Sequence, residues 1–272
     1  MRTLALAGLF LAVAVPVADA SGPTVPTPGT SWPGVAAPGG IHYMAFPHAG
    51  TTVVKAVRSR DAHVLARVTL HGLYGIPSPA FGAAGGLSAD GRTLIVEQLG
   101  SAGGFPRPVS RFVVLAARGL RPLRSIVLRG DYSFDALSPD AARLYLTEHL
   151  DQVSYRVRSL DVGTGRLQPG SVADYRDGDT TMRGWPAARA SRAGWAFTLY
   201  VGGSRTFVHA LDTVHGRAVC IFLPWDTQGT LYGGALSVHG GLLHARLFAH
   251  GFAPAAIDTR TLRVVRLEGL TE

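Results

Sequence analysis

The residues of this chain that are able to do chemistry are few and scattered. Asp135 interrupts the apolar run Tyr132-Ser133-Phe134-Asp135-Ala136-Leu137. A carboxylate in such a run must be paired or solvated, because an unpaired buried charge is costly. Together with a neighbour such as Glu97 or Glu148 it would supply the acid and base that hydrolysis or elimination of a carbohydrate or lactone requires. The competing role for Asp135 is structural, accepting hydrogen bonds from an adjacent backbone or an arginine. Structural ion pairs perturb such groups as readily as active sites do, and they are the stronger reading.

Other candidates carry less. Arg183 and Trp185 end the polar stretch Asp174 to Pro186, where they would stack on or clamp a ligand, or simply pack as a rim. In the same stretch Asp177-Gly178-Asp179 has the start of a calcium loop but neither the further oxygen donors nor the distal Glu at the required spacing. The stretch therefore reads as a solvated connection. Ten histidines are spread along the chain with no HExxH or HxH pair. They give no reason to propose a metal, although Glu148-His149 is the pair to inspect first. No cofactor is expected. Ser88, Ser138, Ser191 and Ser237 lack a GxSxG or SxxK context and read as hydroxyls bonded to local backbone at strand-turn junctions. Cys220, the single cysteine, lies in Ala218-Val219-Cys220-Ile221-Phe222-Leu223 and reads as a small buried hydrophobe.

The elements that must position these groups follow from the chain's organisation. Met1-Arg2, an apolar run from Leu4 to Val15 and the triplet Ala18-Asp19-Ala20 have the form of a secretory signal over residues 1–20, cleaved after Ala20. Later segments are too short in apolar residues for a membrane span. The expected location is secreted, periplasmic or cell-envelope. Residues 21–40 hold five prolines among Gly, Ser and Thr and read as a linker. The 26 basic residues against 18 acidic give +8, but they are scattered singly rather than clustered with aromatics, which argues against nucleic acid. The charge supports at most weak attraction to anionic envelope polymers.

Beyond residue 40 the chain repeats. Leu87-Ser88-Ala89-Asp90-Gly91-Arg92-Thr93-Leu94 recurs as Leu137-Ser138-Pro139-Asp140-Ala141-Ala142-Arg143-Leu144, with weaker copies at residues 190–197 and 236–243 and a degenerate one leading into Tyr43. Each copy is expected to be two strands about a tight Asp-Gly turn. A second refrain follows, as in Leu160-Asp161-Val162-Gly163-Thr164-Gly165-Arg166 and Leu211-Asp212-Thr213-Val214-His215-Gly216-Arg217. If positions 58, 116, 161, 212 and 258 are equivalent, the spacings are 58, 45, 51 and 46 residues. A period of this size carrying four strands is what a propeller blade needs.

The paired refrains resemble the repeat of YVTN-type and WD40-like β-propellers. That resemblance implies an all-β fold over residues 41–272, a single propeller of about five four-stranded blades, with ligands at a central channel lined by each blade's first strand. An antiparallel β-sandwich is the alternative, but it would lack the two-part refrain. The resemblance is nearly silent on function. Five-bladed arabinanase-type glycosidases carry a carboxylate on the opening blade, yet residues 21–60 contain no Asp or Glu. Seven-bladed lactonases need more blades, and six-bladed calcium lactonases use an Asn, of which this chain has none. The expectation is a non-enzymatic binding or scaffolding propeller whose partner is a protein, peptide or envelope polymer at the channel face. A carbohydrate- or lactone-active enzyme is the runner-up.

Overall fold

A computed structural model describes residues 34–78, 84–100, 106–176, 178, 180–192, 194–230 and 232–265. The signal reading, most of the linker, Asp177 and Asp179 lie outside them. The described residues hold strands and turns and no helix. Five antiparallel sheets follow one another along the chain. The first is β1 (Val35–Ala37), β2 (Ile41–His48), β3 (Thr51–Arg58) and β4 (His63–His71). The second is β5 (Tyr74–Gly75), β6 (Thr93–Gln98), β7 (Val109–Ala116) and β8 (Arg121–Arg129). The third is β9 (Asp131–Leu137), β10 (Arg143–His149), β11 (Ser154–Asp161) and β12 (Arg166–Leu167), with β13 (Met182–Arg183) on the same edge of β11. The fourth is β14 (Trp185–Arg192), β15 (Trp195–Val201), β16 (Phe207–Asp212) and β17 (Arg217–Phe222). The fifth is β18 (Gly234–His239), β19 (Leu242–Leu247), β20 (Ala255–Asp258) and β21 (Arg263–Val265). β1 falls inside the stretch expected as linker, so pairing begins at Val35 and not at residue 41.

The second refrain aligns the sheets residue for residue. Arg58 pairs with His63, Ala116 with Arg121, Asp161 with Arg166, Asp212 with Arg217 and Asp258 with Arg263. Each pair closes a turn between third and fourth strands whose last residue has a positive φ: Ala62, Leu120, Gly165, Gly216 and Leu262. A left-handed residue at that place matches the turn to the strand twist. Where the turn opens with Asp, its carboxylate accepts the amide three residues on, from Thr164 at 2.6 Å, His215 at 3.1 Å and Thr261 at 2.8 Å.

The first refrain works differently from the tight Asp-Gly hairpin expected. Between first and second strands, the two-residue turns among the described residues are those where Arg192 pairs with Trp195 and His239 with Leu242, and neither contains Asp. In the second and third sheets the loop is longer. Ser88 and Ser138 Oγ accept the amides of Thr93 and Arg143, each at 2.9 Å, and donate to Asp90 and Asp140 at 2.6 Å. Each Asp in turn accepts the amide two residues on at 3.0 Å. Its side chain, not its φ, shapes the loop. Ser191 and Ser237 are exposed within strands, so the shared hydroxyl role holds for Ser88 and Ser138 alone.

A further repeat joins each early sheet to the next. Gly72-Leu73-Tyr74 and Gly130-Asp131-Tyr132 enter an innermost strand through a glycine at φ 108°. A hydroxyl near the start of the preceding third strand catches that entry. Thr52 Oγ1 donates to Gly72 O at 2.8 Å and accepts Tyr74 N at 2.7 Å; Ser110 Oγ does the same with Gly130 O at 2.9 Å and Tyr132 N at 2.8 Å. A side chain at the glycine would strike the tyrosine ring, 2.9 Å away at Gly72 and 3.1 Å at Gly130.

Apolar side chains fill the spaces between consecutive sheets. Tyr43, Val54 and Leu70 meet Leu94 and Leu115; Ile95 and Phe112 meet Phe134 and Leu146; Tyr145 and Tyr155 meet Tyr200 and Phe207; Leu199 and Val208 meet Leu236 and Leu243. Each inner sheet is thus buried on both faces by its chain neighbours. Sheets succeeding one another in this way are the blades of a β-propeller, and the two-layer sandwich is excluded. Among the described residues no buried cluster joins the fifth sheet to the first.

Candidate functional site

In a four-strand meander the turns joining second to third strands and the connections between sheets share one end. Glu97, Glu148, Arg183 and Trp185 all fall at that end, as the ends of β6 and β10 and the entry to β14. Asp135 lies deeper in β9, the innermost strand of the third sheet. Tyr145 pairs with Ala136 and Leu146 with Phe134, which leaves Asp135 as the extra residue of a β-bulge. The bulge turns Asp135 toward the fourth sheet. Its Oδ1 lies 3.3 Å from Arg189 Nη2 and 3.4 Å from Thr198 Oγ1, and only 1% of the residue is exposed.

Glu97 approaches the same strand from the second sheet. Its Oε2 accepts the amide of Phe134 at 2.8 Å. Burial pushes its pKa up, against that hydrogen bond and the nearby Arg107 and Arg189 guanidinium groups. A carboxylate of the second sheet thus holds the residue next to Asp135.

Glu148 does not join them. It pairs across the strands with Tyr132 and Arg156. It accepts hydrogen bonds from Tyr132 OH at 2.9 Å, Arg156 Nε at 2.6 Å and Arg158 Nη1 at 3.0 Å. These donors outweigh its partial burial and hold its carboxyl below the usual range. Tyr132 packs toward the second sheet with Phe134 and Leu146, whereas Asp135 reaches the fourth, so Asp135 and Glu148 serve opposite faces of one sheet. They are not an acid–base pair.

Arg183 and Trp185 do not form a clamp either. Gly184, at φ 122°, separates them. Arg183 is exposed on the sheet edge, opposite Ser154, while Trp185 packs into the core between the fourth and fifth sheets. The polar connection before them is less solvated than expected. Asp174, 5% exposed, bridges in parallel to Ala218, and its Oδ2 accepts the amide of Cys220 at 2.7 Å. It ties the outer edges of the third and fourth sheets. Cys220 is half-buried, opposite His209 on β16, rather than fully inside.

The structure adds contacts that the sequence does not display, to His149 among others. Arg107, from the connection between β6 and β7, grips Asp131 through Nε at 2.8 Å, Nη2 at 2.7 Å and its own amide at 3.0 Å, and spends its remaining donors on the carbonyls of Gln98 and Tyr132. Ser133 Oγ lies 3.0 Å from His149 Nε2. Burial lowers the His149 pKa while Asp131 opposes that shift. Deeper in, Asp135 Oδ2, Tyr155 OH and His209 Nδ1 are buried without a hydrogen-bonding partner among the described residues. The recurring Gly-x-Tyr entry to the innermost strands was the available sign that residues beside it, Asp131 among them, anchor the start of those strands.

No family model matches the chain, and no curated protein does. Solved structures do. The Dos1 propeller matches at 11% identity and a TM-score of 0.53, over 87% of this chain and 58% of that one. A putative TolB from Agrobacterium tumefaciens matches at 14% identity and 0.48, over 88% and 80%. Hydrazine synthase from Kuenenia stuttgartiensis matches at 18% identity and 0.45, over 70% and 49%. The chain thus spans about half the hydrazine synthase chain and somewhat more of the Dos1 propeller. The likeness to the Dos1 propeller agrees with the sheets in defining a β-propeller, and it speaks to the fold alone.

Proposed function

We propose that the chain is an exported, non-enzymatic binding or scaffolding propeller of the cell envelope or exterior, which holds a protein, peptide or envelope polymer at its channel face. One observation carries this reading: the carboxylates best placed for chemistry are engaged by protein donors or closed off from solvent. Asp135 is held by Arg189, Asp131 by Arg107, Glu148 by Arg156 and Arg158, and Glu97 by the Phe134 amide. A general base needs an open lone pair within reach of substrate, and Glu97 and Asp135 are 6% and 1% exposed. The export half of the proposal rests on the form of residues 1–20.

Chemical crosslinking of the chain without residues 1–20 to envelope extract tests the reading. A discrete, saturable crosslinked partner is the expected result. Repeated failure to enrich any component over an unrelated cationic protein, together with turnover of glycosides or lactones, would overturn it. The runner-up, a carbohydrate- or lactone-active enzyme, keeps one specific support, a buried Glu97 carboxyl bonded to the Phe134 amide next to Asp135.

A further inference from the structure

Among the described residues, the first and fifth sheets each bury one face against a chain neighbour, and no buried cluster covers the other face, which is where a seam between them would lie. On the first sheet, Tyr43, Ala45 and Val54 face the second sheet and are 0–3% exposed. The opposite face presents Met44, Phe46 and Val53, all only half-buried, beside Lys55 and Arg67. The fifth sheet has the same asymmetry. Leu243, Ala245 and Leu247 are buried against the fourth sheet, while Leu242, His244, Arg246 and Phe248 alternate onto the other face.

Both of these faces are cationic. Lys55 Nζ lies 5.0 Å from the centre of the Phe46 ring, and the Arg246 guanidinium 5.3 Å from that of Phe248. Neither cation, nor Arg67, has a carboxylate partner among the described residues. Asp258, at the margin of the fifth sheet, spends its carboxylate on the amides of Arg260 and Thr261. Two cationic faces repel each other across a dry junction and, for the same reason, repel the matching faces of a second copy.

We propose that this seam docks a partner polypeptide whose contacting surface is apolar at its centre and acidic at its margins. The apolar centre matches Met44, Phe46 and Val53, and the carboxylates match Lys55, Arg67 and Arg246. Apolar contact and charge complementarity then act together, as at ordinary protein interfaces. The proposal rests on the binding reading above but moves the partner from the channel face to the seam.

The test uses the chain without residues 1–20 and a synthetic peptide of alternating valine and glutamate, titrated at low ionic strength. Saturable binding is expected, weakened about tenfold by Lys55→Glu and by Arg246→Glu, which lie on different sheets. Arg129→Glu, the same charge change at an exposed site on β8, should alter it less than about twofold. Equal loss in all three variants would reduce the effect to net charge and overturn the seam. Binding that appears only after residues 266–272 are removed would assign the seam to the chain's own tail, and a dimer abolished by Lys55→Glu would assign it to a second copy. Each of those results overturns the proposal. If envelope capture persists unchanged in Lys55→Glu and Arg246→Glu while the peptide fails to bind, the seam assignment falls and the binding reading stands.

Discussion

Arg189 on the innermost strand of the fourth sheet places Nη2 3.3 Å from Oδ1 of Asp135, the bulge residue on the innermost strand of the third. The guanidinium also lies 5.8 Å from the centre of the Phe134 ring, so one side chain joins the third and fourth blades at their innermost strands. Removing it would strand a carboxylate that is 1% exposed. Arg189→Met is predicted to destabilise the fold by about 3–5 kcal/mol, because breaking a buried pair leaves an uncompensated charge. Adding Asp135→Leu should recover much of that loss. Urea denaturation of the single and double variants measures both.

Glu97 sets a pH dependence of known sign. Its pKa is raised in the folded state by burial, so between the unfolded and folded values the native protein holds a proton that the unfolded chain has released. The stabilising contribution is therefore fully present below the unfolded value and fades as pH rises through the folded one. Glu97→Gln, which can still accept the Phe134 amide, should lack this decline. Denaturation of both proteins across pH 4–9 is expected to show the wild type losing stability relative to the variant as pH climbs.

The hydroxyl latch between sheets is testable at Ser110, 1% exposed and bonded both to the carbonyl of Gly130 and to the amide of Tyr132. Ser110→Ala leaves a buried amide without its acceptor and is predicted to cost about 1–3 kcal/mol. Gly130→Ala should also destabilise the fold, since φ is 108° and an added Cβ would stand 3.1 Å from the Tyr132 ring. Thermal unfolding of both variants checks the pair.

Ala62 occupies the left-handed turn position that Gly165 and Gly216 hold in other sheets. It is exposed, so Ala62→Gly relieves backbone strain without opening a cavity. A gain of up to about 1 kcal/mol is predicted, limited by glycine's greater freedom in the unfolded chain. Leu262 has the same conformation but is 4% exposed in the core between the fourth and fifth sheets, so Leu262→Gly should destabilise instead.

The sheets were legible because their turns recur in sequence. Positions 58, 116, 161, 212 and 258 could be aligned by eye, and each opens an equivalent turn. The first refrain was legible as a repeat but not as a mechanism, since Asp90 and Asp140 act through side-chain hydrogen bonds that a sequence does not display. Asp135 stood out because a charge in an apolar run is conspicuous. Its partner did not: Arg189 lies 54 residues away, and only the stacking of successive blades brings the two together. Glu148 looked equivalent to Glu97 in sequence, yet the alternation of side chains along β10 sends it to the face opposite Asp135. The pairing of Arg107 with Asp131 was hidden in the same way, in a connection with no repeat to align.

The central claim is that this propeller binds and does not turn over. Its most direct test is hydrolysis or elimination of a panel of aryl glycosides and lactones by the chain without residues 1–20 across pH 4–9, beside Asp135→Asn and Glu97→Gln. The account predicts no saturable turnover by any of the three. Saturable turnover by the wild type that is lost in Asp135→Asn, with the folded state intact, would contradict it.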